Sequence, residues 1–349
     1  MTPIALAGLA CWLCGQAAAQ TPQIEVLRAA VGKSLPLLQA GAQSFRERSE
    51  GRCISCHHQG LILTTVALAR SRGLAVNENL ARAEIERVRG FYARRQQRYQ
   101  AALEDSAALP QADPFGNFTV HAGYWLWGLA AENVAPDEAL ATTARLLAGR
   151  QQADGRWTFT DTARAPMQAG GITTTALAAF AINRYGPAAD RESRDERLRR
   201  ARQWLLEEPP QTTDDLAFGL LGLKWTGAPD GDLQAAAARL RAAQRSGGGW
   251  AQQANMPPDA YATGLALFAL HEGGTAVTDP AWRQGLAHLL QSQQPDGSWF
   301  VRTRAIPSNP YFESGFPHGK SQFISYAATC WATVALTLAL PVGSPVGRE

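Results

Sequence analysis

Two kinds of apolar pattern alternate along the chain. One is amphipathic: at about residues 24–46, 79–103, 136–150, 195–207, 233–244 and 280–291, apolar positions recur at helical spacing while the rest of each turn is charged, mostly with Arg. The other is apolar nearly all round and rich in Ala, Leu and Thr, at about residues 56–72, 118–131, 171–185, 213–225, 259–272 and 322–340. A helix without a polar face is covered on every side. Six amphipathic helices alternating with six covered ones predict an outer ring around an inner ring. The expected fold is therefore all-α, a single α/α toroid, and no linker interrupts the alternation to divide it.

A repeat runs through this pattern. A Gln is followed four residues later by Gly and six later by Trp in Gln151/Gly155/Trp157, Gln244/Gly248/Trp250 and Gln293/Gly297/Trp299. A weaker copy without the Gly and Trp spacing lies at Ala201–Leu205. The Gly is expected to end the outer helix. These Q-x-x-x-G-x-W repeats resemble the QW motifs of the terpenoid cyclase and protein prenyltransferase superfamily. The resemblance covers roughly Ile24 to Leu340 and implies α/α toroid domains, while fold alone does not name an activity.

Connections from outer to inner helices are long (residues 104–117, 155–170, 247–258 and 297–321), whereas the returns are mostly shorter. The long loops then gather at one mouth of the toroid, together with the N-termini of the inner helices, whose free N–H groups favour anions. Loops held on a rigid scaffold are where function usually sits.

The most specific chemical motif opens the first inner helix. Cys53-Ile54-Ser55-Cys56-His57 is a C-x-x-C-H match, the pattern of covalent c-type haem attachment: two thiols form thioethers and the adjacent imidazole of His57 is placed under the iron. A local disulfide, a redox dithiol, or a zinc site using His57 or His58 are the competing readings. Other candidates share the mouth: His121, Met167, Met256, and His318 in the aromatic- and Pro-rich segment Asn309–Lys320, which reads as a lid. His318 is the expected distal ligand or distal-pocket residue of the iron. His121, fixed in a first helical turn, is expected to line the pocket or to bond a propionate.

Compartment follows from the N-terminus. Ile4 to Leu13 is uncharged and apolar, and Ala17-Ala18-Ala19 is a small-residue cleavage pattern, so residues 1–19 read as a signal peptide and residues 20–349 as the toroid. The expected location is periplasmic or secreted. Cys11 and Cys14 leave with the leader, and three remaining cysteines are too few for a disulfide scaffold. A net charge of +3, with Arg at helical spacing, reads as solvated outer faces and gives no nucleic-acid patch. No apolar run behaves as an integral membrane segment.

Thr212-Thr213-Asp214-Asp215 is similar to the D-x-D-D motif of class II terpene cyclases, in which the middle Asp protonates an alkene or epoxide; Asp214 holds that place and Thr212 replaces the first Asp. The same Asp pair is what a helix start wants, and capping is the expectation for it. The zinc of the prenyltransferases would need an Asp, a Cys and a His, for which Cys330 is the one remote Cys. The leading expectation is thus an exported c-type haem protein, with a redox partner protein or a small-molecule substrate. Two alternatives stand beside it: a haem-free cyclase-like or metal-dependent enzyme using Asp214 or Cys56/His57, and a toroid that binds a lipid or peptide.

Overall fold

The computed structural model describes residues 7–49, 55–113, 117–158, 164–168, 170–306 and 311–342, with side chains from Gln23 onward and without those of Cys56 and His57. The helices are α1 (Ala7–Arg48), a π turn (Cys56–Leu61) leading into α2 (Ile62–Ser71), α3 (Glu78–Glu104), the short α4 (Leu109–Ala112), α5 (Phe118–Ala131), α6 (Glu138–Gly149), α7 (Gly171–Tyr185), α8 (Arg191–Glu207), α9 (Thr213–Trp225), α10 (Asp230–Ala242), α11 (Ala260–Glu272), α12 (Pro280–Ser292) and α13 (Gln322–Leu338). Among the described residues β-structure is limited to two isolated bridges, Arg164 with Gln168 and Ala251 with Pro258.

The apolar helices form the inner ring in chain order. α2 packs on α5, α5 on α7, α7 on α9, α9 on α11, α11 on α13, and α13 returns to α2, which closes the ring. Their composition explains their place: every residue of α11 from Ala260 to Leu270 is buried, as are all seventeen of α13 except Phe323. The amphipathic helices lie outside, with α6 on α7, α8 on α9, α10 on α9 and α11, α12 on α11, and α1 on α13. Along the axis, Trp127 stacks on Trp331 at 5.7 Å, and Phe268 lies 5.6 and 5.5 Å from the two rings. These aromatics from α5, α11 and α13 fill the barrel below its mouth.

The three repeats are one device used three times. Gln151 Nε2 donates to Gly155 O and to Arg197 O on the next outer helix; Gln244 reaches Gly248 O and Ala281 O; Gln293 reaches Gly297 O and Ala30 O. The last of these ties the end of the chain to α1 and locks the ring. Each Trp is buried, and donates its indole N–H to a carbonyl ten residues back at 2.7–2.8 Å and its backbone N–H to a Thr of the following inner helix, Thr175, Thr263 or Thr329. The Gly does not end the helix, contrary to the expectation from sequence: α6 stops at Gly149, and Gly155 lies in the turn beyond it. Its role is a positive φ with close approach, since a Cβ on Gly248 would sit 2.6 Å from Gln284 O. The weak copy at Gln203 makes no such bridge; Gln203 bonds Glu207 on its own helix.

Candidate functional site at the toroid mouth

The start of α9 separates the two aspartates that the sequence presents together. Thr212 is the N-cap: its Oγ1 accepts from Asp215 N at 3.1 Å, and Asp215 Oδ2 accepts in return from Thr212 N at 3.1 Å. Asp215 therefore completes a capping box. Asp214 does not cap, contrary to expectation. It turns inward, 4 % exposed, where Tyr261 Oη donates to its Oδ1 at 2.9 Å and its Oδ2 is buried with no partner.

The pairing follows from register. Asp214 is the second residue after the N-cap of α9, and Tyr261 is the second after Asp259, the N-cap of the adjacent and parallel α11. Equal positions on neighbouring inner helices stand at the same height. His57 is the second residue after Ser55, the N-cap of the first inner element.

Burial dominates the acidity of Asp214, raising its carboxyl to about 7; Asp215 and Asp259 push the same way, while the Tyr261 hydrogen bond and the Arg304 charge oppose it. Burial and Asp214 together hold the Tyr261 hydroxyl well above its usual range. Arg304 is itself set in place: its Nε donates to Gln252 Oε1 at 2.7 Å, and Gln252 Nε2 donates to Asp259 Oδ2 at 2.7 Å. Tyr261, Gln252 and Arg304 were not singled out from the sequence; the shared register of Asp214 and Tyr261 is the signal that points to the first of them.

The haem-motif residues fall partly outside what the structure describes. Cys53 lies outside the described residues, and Cys56 and His57 are placed only as the first two residues of the π turn. The turn itself is firmly anchored. Ser55 Oγ accepts from His58 N at 2.9 Å, and Ser55 O accepts from Trp125 Nε1 at 3.0 Å. The adjacent His58 is buried in packing, its ring between Phe45 at 4.4 Å and Tyr326 at 3.8 Å.

His318 is engaged elsewhere. Ser298 Oγ donates to Asp296 Oδ1 at 2.7 Å, so at 2.7 Å from the same oxygen His318 Nε2 is the donor. Its Nε2 is thus bonded at the third QW turn. Met167 is buried and Met256 is in a surface turn. The lid segment is a packed loop over residues 311–320: Gln322 Oε1 accepts from Ser314 N at 2.7 Å, and Phe316 lies 5.0 Å from Tyr326. Cys330 is buried in α13 with its thiol pushed up by burial, which makes it a packing residue. Among the described residues no group of three or more His, Cys, Asp or Glu side chains is arranged to hold a metal, and no helix is long and apolar enough to cross a membrane.

No protein-family model matches this chain, and no curated protein matches it by sequence. Solved structures do match over nearly its whole length. The type II terpene cyclase MstE from Scytonema aligns with 91% of this chain and 99% of its own at 16% identity, TM-score 0.57. Its complex with geranylgeranyl dihydroxybenzoate gives 0.56 at the same identity. A glycosidase aligns over 89% of this chain and 98% of its own at 14% identity, TM-score 0.54. The chain is an α/α toroid. At these identities the likeness establishes the fold that cyclases and glycosidases share and leaves the chemistry to the site.

Proposed function

We propose that this protein is an enzyme of proton-initiated chemistry whose Brønsted acid is Asp214. The observation that carries the reading is a carboxyl that burial raises to about 7, with one oxygen bonded by Tyr261 and the other, Oδ2, buried without a partner among the described residues. Among the described residues a proton on Oδ2 has no acceptor, which leaves it available to a substrate. The fitting reaction class is protonation of an electron-rich alkene, as in the type II cyclases of the same fold. The C–H bond forms as the alkene π pair takes the proton, Asp214 is left as carboxylate, and loss of a proton from the resulting cation to a base closes the cycle as a net isomerisation or cyclisation. Tyr261 and Arg304 stabilise the carboxylate during the cation's lifetime. Because Asp214 is buried, substrate reaches it only with movement of the mouth loops. Incubating the purified protein with polyprenyl phenols and identifying products by mass spectrometry tests the reading; absence of any Asp214-dependent product across linear polyprenyl substrates would overturn it.

A second reading rests on C-x-x-C-H. Cys53 and Cys56 would hold a haem through thioethers, with His57 as axial ligand, and the group would supply one-electron redox chemistry at the mouth of an exported protein. Two thiols and an imidazole at this spacing are the donor set it requires, and Ser55, between the two cysteines in sequence, accepts a hydrogen bond from Trp125. Protein made by a host with haem-attachment machinery should carry haem that survives denaturing electrophoresis and is lost in Cys53→Ala with Cys56→Ala. Colourless protein from that host would end this reading.

A further inference from the structure

On the rim formed by α3 and α5, positive charge gathers around an unsatisfied imidazole. His121 lies on α5 among Phe91, Phe118 and Trp125, and its Nδ1 is buried with no hydrogen-bond partner. The Arg95 guanidinium sits 3.6 Å over the Phe91 ring, half-buried, and forms no ion pair among the described residues. Arg150 comes in from the end of α6 and is paired with Asp113 at 3.1 Å. Arg94 and Arg98 add their fields from α3. Burial first, and then the charges of Arg95 and Arg150, push the imidazole of His121 down to about 3.

Asp113 is the carboxylate found here among the described residues, and Arg150 pairs with it. The neighbouring Tyr92 and Tyr99 are buried and neutral. A half-buried arginine and a buried imidazole nitrogen without acceptors are what an oxyanion satisfies, because each would gain a charge-assisted hydrogen bond. Arg95 is also pre-positioned by its stacking on Phe91, so little side-chain freedom is lost on binding.

We infer that Arg95 and His121 form a binding site for a small oxyanion, a carboxylate or a phosphate, at the α3/α5 rim. The site is independent of Asp214 and of the reaction proposed for it. Binding places negative charge beside His121, which favours the protonated imidazole and moves its titration upward.

The test follows the histidine resonances by NMR while inorganic phosphate or succinate is titrated against chloride at equal ionic strength. His121 is assigned by its absence in His121→Gln. Expected is a saturable shift of the His121 signal, an upward move of its titration, and weakening by at least about tenfold in Arg95→Gln, the loss of one charged hydrogen bond. Arg98→Gln, an exposed neighbour, should change affinity by less than about twofold. Whether phosphate or succinate saturates first identifies the anion group. An unsaturable response to both anions, or equal affinity in wild type and Arg95→Gln, would overturn the site. Arg95→Gln keeps the test decisive should His121→Gln fail to fold.

Discussion

Tyr261 donates to Oδ1 of Asp214 across 2.9 Å, from the same position on the next inner helix, and leaves Oδ2 of that carboxyl buried without a partner. This arrangement differs from a salt bridge or a helix cap in its consequence. Burial holds the proton on the group against that bond, and among the described residues no acceptor takes it from Oδ2. Three of the predictions follow from it.

Asp214→Asn keeps the shape and removes the proton. Product formation should fall by about 10²–10⁴-fold, the usual worth of a positioned acid, with the helical circular-dichroism spectrum unchanged. A variant retaining wild-type turnover would remove Asp214 from the chemistry.

The same substitution has a signature in stability. The folded carboxyl titrates near 7 and the ordinary value is 3.8, so the native state holds a proton that the unfolded chain releases. Wild-type stability relative to Asp214→Asn should therefore fall as pH rises from about 4 to about 7 and level off above, by on the order of a few kcal/mol. Urea midpoints of both proteins at pH 4, 5.5 and 8 measure the difference; a gap that does not vary with pH contradicts the raised value.

Tyr261→Phe removes the one hydrogen bond to Asp214 and should cost about 1–3 kcal/mol. Because that bond lowers the pKa of Asp214 toward its ordinary value, its loss moves the basic limb of the activity profile to higher pH. Arg304→Gln, which withdraws an opposing charge, should move the limb in the same direction by a smaller amount. A limb that stays in place in both variants argues that another group controls it.

Closure of the ring can be tested at Gln293, whose amide joins the third repeat to Ala30 on α1. Gln293→Ala should cost about 1–3 kcal/mol, whereas Trp299→Ala, which empties a buried site, should cost about 3–5 kcal/mol. Gly297→Ala is opposed twice, by a φ of 92° and by a Cβ 2.7 Å from the Lys33 backbone carbon. Thermal unfolding ranks the three, and a stabilised Gly297→Ala would contradict the close approach.

On the acid side, His121 must stay neutral in the folded state while the unfolded imidazole binds a proton near 6.5. Wild-type stability should fall relative to His121→Gln as pH drops from about 6.5 toward 3. Parallel acid-unfolding curves for the two proteins would show that His121 is accessible and ordinary.

The sequence by itself determined the architecture. Helix α13 reads as covered on all sides because its apolar residues leave no polar stripe, and α6 as an outer helix because its stripe recurs every three to four residues; both signals are local and survive without knowledge of partners. The Gln–Gly–Trp spacing likewise marked the turns, although only the structure showed that the Gly serves close approach of the next outer helix. Thr212 and Asp215, three residues apart, are a legible capping box, while Asp214 between them looked equally fit to cap. What removed it from that role is Tyr261, brought beside it from 47 residues further on by the parallel packing of α9 and α11. The surroundings of His318 were hidden for the same reason: its bond to Ser298, 20 residues earlier, arises from how the lid folds onto the third repeat. Periodicity along one helix is set by the chain's own geometry, whereas protonation and ligand capacity depend on burial and on neighbours that only the closed ring assembles.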